Sequence, residues 1–140
     1  MTKTLDQQRA ALAWQYATYG MKQRDEKLRK EYKGLAEGAP ALIMNSGLMP
    51  TLAFYADKGF DKKTRQLDPS KPPSMLLQHL LAGLSERLRP SPQPKDFDAF
   101  MKLFQEMSGA SYLRYTDEAL ELLKWLRQFV KAVGSTKESA

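Results

Sequence analysis

The 140-residue chain contains no cysteine and a single histidine, His79. Without cysteine there are no disulfides, thiolate metal sites or cysteine nucleophiles. One imidazole with no clustered carboxylates is a poor basis for a metal centre or a serine–histidine catalytic set. His79 sits away from the Leu77–Leu80–Leu84 stripe of its own segment, so a surface or edge position is expected. No apolar run approaches the ~20 residues that span a bilayer. The start, Met1-Thr-Lys-Thr-Leu-Asp-Gln-Gln-Arg9, lacks the apolar stretch of a signal peptide, so the expected location is the cytoplasm, away from membranes. No segment alternates like a strand, and nothing repeats at a fixed period. Gly34-Leu-Ala-Glu-Gly38 has neither the Gly-Lys-Ser/Thr ending nor the preceding strand of a phosphate loop.

What is present is helical periodicity and positive charge. Hydrophobic residues make up 42% and charged residues 27%, an ordinary globular balance. The length fits one domain over 1–140, since domains commonly run about 100–150 residues. Twenty-two Lys and Arg against sixteen Asp and Glu leave a net charge of +6. Such a balance favours contact with a polyanion without dictating a fold.

From Leu5 to Leu35 there is no proline, and Ala10, Trp14, Ala17, Met21, Leu28, Tyr32 and Leu35 collect on one stripe at about 100° per residue. This predicts a long first helix, about 45 Å if unbroken. A second apolar stripe of Leu5, Leu12, Tyr16 and Tyr19 lies on another side of its first half. A helix with two apolar faces is either sandwiched in its own domain or shared with a partner. Gly38-Ala-Pro40 is expected to restart the chain into a short helix. Asn45-Ser-Gly47 then turns the corner, with Gly47 in the left-handed region and Asn45 or Ser46 capping. A helix with Leu48, Leu52 and Tyr55 inward follows and ends at Lys58-Gly59.

The polar stretch over 61–73 reads as a mobile surface loop. Beyond it come a leucine-rich helix over Ser74–Leu88 and a proline connector over Arg89–Pro94. A helix with Phe97, Phe100, Met101 and Phe104 inward is next, and the last long helix covers Tyr112–Lys131. Residues 134–140 read as a frayed tail. The expected fold is all-α, a compact bundle of about five to six helices.

Asp117-Glu118 has the look of paired carboxylates, but a place in the first turns of a helix already accounts for it through the dipole. Two basic groups stand out. Lys22, Lys27, Arg29, Lys30 and Lys33 lie opposite or beside the Met21–Leu28–Tyr32 stripe, where a row of cations can track phosphates. Asp25, Glu26 and Glu31 are interspersed, which is equally the pattern of a solvated face. Lys62, Lys63 and Arg65 form the second group, in the polar loop. A stand-alone dimeric regulator of duplex DNA is the competing class, but no helix opens with the Arg, Asn or Gln that base readout requires. Enzyme is the third.

Several motifs occur in a telling order. They are Gln8-Arg9-Ala10 with Ala13, Glu31-Tyr32-Lys33, Pro40-Ala-Leu-Ile43, Gly47-Leu48 and Leu52-Ala-Phe54. Near the end come Tyr112, Thr116-x-Glu118-Ala119 and Trp125-Leu126-Arg127. Together they resemble the small-subunit family of the type III-B CRISPR ribonucleoprotein, the Cmr RNA-silencing complex, over nearly the whole chain. The resemblance implies a compact, all-helical protein without catalytic activity of its own, and no cofactor or metal is expected from the residues. It implies copies stacked head to tail as a minor filament, beside larger subunits that hold guide RNA paired with target RNA. On that reading Leu5, Leu12, Tyr16 and Tyr19 are candidates for contacts with other copies or subunits, and the eight basic residues are candidates for RNA contact.

Overall fold

In a computed structural model, residues 2–94 and 96–133 are described in full and 134–139 by backbone alone. The described residues form six helices: α1 (Leu5–Met21), α2 (Glu26–Ser46), α3 (Leu48–Gly59), α4 (Pro72–Leu88), α5 (Phe97–Glu106) and α6 (Gly109–Ser139). The expected frayed tail over 134–140 lies outside the fully described residues. The α6 helix is the spine, packing most extensively along α1 and also against α2 and α4. In turn α3 lies on α4 and α2, with α5 beside α3. One core results, centred on Tyr32, Tyr55, Leu76, Leu77, Leu84, Phe100, Leu123 and Val130.

The single long first helix does not form: α1 ends at Met21 and α2 begins at Glu26. No proline marks the break, and Gly20 lies inside the last turn of α1. Asp25 caps α2, its carboxylate accepting the Lys27 N–H at 2.8 Å, as short acidic side chains do at helix starts. The Arg29 guanidinium donates to the carbonyls of Gln23 and Arg24, satisfying the turn. Those polar ties outweigh an apolar period that continues across the break. At its other end α1 opens with a capping box, where Thr4 accepts the Gln7 N–H at 3.1 Å and Gln7 accepts the Thr4 N–H at 2.8 Å.

The expected restart at Gly38-Ala-Pro40 is also absent, because α2 runs through Pro40 to Ser46. Proline there forgoes one hydrogen bond to the preceding turn, and burial of Ala36, Ala39 and Ile43 holds the helix together around it. Gly47 has the positive φ expected of the corner, +96°, but its ψ of 165° is extended rather than that of the left-handed helix-ending conformation. Neither Asn45 nor Ser46 caps α3, whose start has no side-chain cap. Instead the Thr51 hydroxyl donates back to the Gly47 carbonyl at 2.8 Å.

The stretch expected as a mobile loop is built. Phe60–Asp61 and Gln66–Leu67 pair antiparallel, Phe60 opposite Leu67 and Asp61 opposite Gln66. Asp61 accepts the Lys63 N–H at 2.8 Å and so shapes the turn. Pro72 and Pro73 are buried in the first turn of α4, where a missing N–H costs nothing. Two residues per strand are too few to leave an alternating pattern in a sequence.

Gly20 sets how closely α1 approaches α2. A Cβ there would overlap the ring carbons of Tyr32, and Tyr32 is fully buried. We expect Gly20→Ala to destabilise the protein by about 2 kcal/mol through overpacking, read as a lower urea midpoint. Gly34→Ala is the control: a Cβ at Gly34 meets nothing within 4 Å, so no loss is expected there.

Candidate nucleic-acid interface

The break between α1 and α2 divides the first basic group. Lys22 is the C-terminal cap of α1, while Lys27, Arg29, Lys30 and Lys33 belong to α2. They form a corner rather than a row on one helix. Lys22, Lys27 and Lys30 are exposed and Lys33 is half-buried. Lys30 pairs with Glu26 at 3.4 Å, an exposed i,i+4 pair of small energetic weight. The half-buried Arg29 is occupied with the turn carbonyls. Lys62, Lys63 and Arg65 are all exposed at the hairpin turn, on a separate element.

The residues expected as subunit contacts also divide. Leu5 and Tyr19 are about half exposed, and Leu12 is half-buried against the core. Tyr16 turns inward with 8% of its surface exposed, and its burial raises the phenol pKa to about 12. Of the expected core stripe of α1, Ala17 and Met21 are buried, but Trp14 is half exposed and Ala13 takes an inward place instead.

His79 is half-buried at the edge of the core, as expected, and lines an open groove, but aromatic rings pack around it. Its ring stacks on Tyr16 with centroids 4.6 Å apart and planes 13° from parallel. The edges of Tyr19 and Tyr32 close on it at 5.5 and 5.6 Å. Its Nδ1 lies 2.6 Å from the Tyr32 hydroxyl, and burial pushes its pKa down to about 4. Outward of this cluster is an open groove of about 470 Å³ beside Lys22, Gln15 and Gln23. Local sequence offers no route to this site. Tyr32 and His79 are far apart along the chain, and three tyrosines at 16, 19 and 32 resemble core positions.

Glu118 is the other residue whose place its local sequence conceals. It is only 5% exposed and binds the Arg9 guanidinium with two hydrogen bonds of 2.8 and 3.0 Å. Arg87 of α4 approaches the same carboxylate at 3.3 Å and donates to Gln8 at 2.7 Å. Burial works to raise the Glu118 pKa. The Arg9 hydrogen bonds, the charges of Arg9 and Arg87, and the Arg87 hydrogen bond together outweigh it and hold the carboxyl below its usual range. Three helices are thereby tied at one polar point. A second tie joins the Gly47 corner to α6, where the Tyr112 hydroxyl accepts the Met49 N–H at 2.9 Å. Several motifs singled out in the sequence thus meet each other in space and serve the fold.

Among the described residues, no group of three or more His, Cys, Asp or Glu could hold a metal ion. Among them also, no helix is long and apolar enough to cross a membrane. Fold and surface together define a small all-helical protein with exposed cations at one interhelical corner and one hairpin turn. Residues 5–133 match the family described as CRISPR-associated protein (Cas_Cmr5), and the chain belongs to that family. Among solved structures it is similar to the crystal structure of a CRISPR-associated Cmr5 family protein from Thermus thermophilus. The TM-score is 0.68 at 23% identity, over 94% of this chain and 98% of that one. Similarity at that identity speaks to the fold.

Proposed function

We propose that this protein is the small, non-catalytic subunit of the type III-B Cmr RNA-guided complex, working in the cytoplasm. Copies stack as a minor filament beside the subunits that hold guide RNA. Exposed lysines contact the phosphates of paired guide and target RNA without reading sequence. The observation that carries this reading is family membership over residues 5–133. The layout of the chain supports it, because Arg9, Glu118 and Tyr112 are engaged in holding helices together while Lys22, Lys27, Lys62 and Lys63 remain exposed. Leu5 and the half-exposed Trp14 offer apolar surface on α1 for a neighbouring copy or subunit.

The first test is co-purification through a C-terminal tag, with mass analysis and RNA extraction. Larger CRISPR subunits and a guide RNA are expected with the protein; a lone protein or one carrying duplex DNA would overturn the assignment in favour of a DNA-binding regulator. The RNA role is tested by Lys22→Gln, Lys27→Gln, Lys62→Gln and Lys63→Gln together. Target RNA retention by the assembled complex should weaken, with the salt slope shallower by about 0.7 to 0.9 for each phosphate no longer neutralised. Unchanged retention would make these lysines mere solvated surface. Arg29 is left intact because its loss would loosen the α1–α2 turn.

A further inference from the structure

We infer that the groove at the C-terminal end of α1 is a stacking site for one unpaired base of single-stranded RNA. In it Tyr19 is the platform, the His79 imidazole is a hydrogen-bond donor, and Lys22 meets the adjoining phosphate. The inference rests on the proposed RNA-holding role and adds to it a place where a base, not only the backbone, is held.

Four observations converge on this groove. Tyr19 is 54% exposed, an unusual position for an aromatic ring that already has a neighbour on one edge. Aromatic faces accept any base, which suits recognition without sequence preference. Lys22 follows Tyr19 by three residues and lines the same groove, so a ring and a cation stand side by side, the combination that single-stranded nucleic acids require. Gln15 and Gln23 also line it and supply amide groups for base edges.

The fourth observation concerns the proton on His79. Tyr32 is fully buried, and a buried hydroxyl needs an acceptor. The Tyr32 hydroxyl has His79 Nδ1 at 2.6 Å, so it donates there. A neutral imidazole accepting at Nδ1 carries its proton on Nε2. Burial keeps the ring neutral at physiological pH, and stacking on Tyr16 fixes its plane. His79 is therefore a preset neutral donor at the groove, matched to a base carbonyl. In contrast to Tyr16, which packs the same ring from inside, Tyr19 contributes little to the core.

The test is an NMR titration of the full chain with a uridine decamer, run beside an abasic decamer carrying the same phosphates. His79 is the only histidine, so its ring signals are unambiguous. The uridine decamer should shift those signals, and the abasic one should bind more weakly and leave them in place. Tyr19→Ala should weaken uridine binding by about tenfold, the scale of removing one base–aromatic stack, whereas Tyr19→Phe should retain affinity. The exposure of Tyr19 makes both variants compatible with folding, which a thermal melt checks. If the two decamers bind equally and the His79 signals stay still, the base site is overturned while phosphate holding stands. If neither decamer binds, the base site and RNA holding by the free chain both fall.

Discussion

Glu118→Ala should lower the unfolding free energy by about 3 kcal/mol, the loss typical of breaking a buried ion pair from one side. The carboxylate is 5% exposed and is shared by Arg9 and Arg87, whose side chains are only 16% and 12% exposed. Removing it leaves two poorly solvated guanidinium groups without the carboxylate they share, Arg9 retaining only the more distant and more exposed Asp6 and Glu121 at 3.9 and 4.0 Å. The loss falls where α1, α4 and α6 meet. Urea unfolding followed by circular dichroism measures the effect. Glu118→Gln keeps the shape and one acceptor, so its loss should be smaller. Glu121→Ala is the control: Glu121 is 40% exposed and 4.0 Å from Arg9, and its removal should cost less than about 1 kcal/mol. Equal, small losses for Glu118→Ala and Glu121→Ala would show that the triad adds nothing beyond surface charge.

His79 should dominate the acid side of the stability profile. Its ordinary pKa is 6.5, and burial in the fold lowers it to about 4. Between those values the unfolded chain binds a proton that the folded chain excludes, so stability rises with pH through this window. The contribution is complete above about pH 6.5 and lost progressively as pH falls towards 4. From pH 7 to pH 4.5 the expected loss is about 2 kcal/mol. His79→Asn removes the titration while retaining an acceptor near the Nδ1 position for Tyr32, and it should flatten the profile over that range. The Glu118 carboxyl, held below its usual range, acts in the same direction at lower pH. Its stabilisation is present above the ordinary carboxyl pKa and disappears as pH falls through the lowered one. A wild-type profile that is flat from pH 7 to 4.5 would mean that the ring is hydrated and charged in the native state.

Both predictions turn on residues whose partners local patterns do not reveal. Glu118 in the early part of a helix is adequately explained by the helix dipole until Arg9 and Arg87 are seen beside it. His79 lies off the leucine stripe of α4, and only the convergence of Tyr16 and Tyr32 from two other helices encloses it. The α1–α2 break is hidden for a related reason. The apolar period from Ala10 to Leu35 survives a four-residue turn, whose cause is the pairing of Asp25 and Arg29 with the local backbone.

The sequence by itself determined the all-α class, the inward faces of α3, α4 and α5, the Gly47 corner and the family. Each of these depends on short-range regularities: apolar spacing, a residue tolerant of positive φ, and motifs in a set order. Tertiary structure alone decided which tyrosine faces the core, which carboxylate is buried, and which cations remain exposed. Those outcomes depend on what a second helix brings within a few ångströms, and residues such as Arg9 and Glu118 share no local signal that they will meet. Burial then does the rest, because a charge or an imidazole removed from water must find its partner or change its protonation.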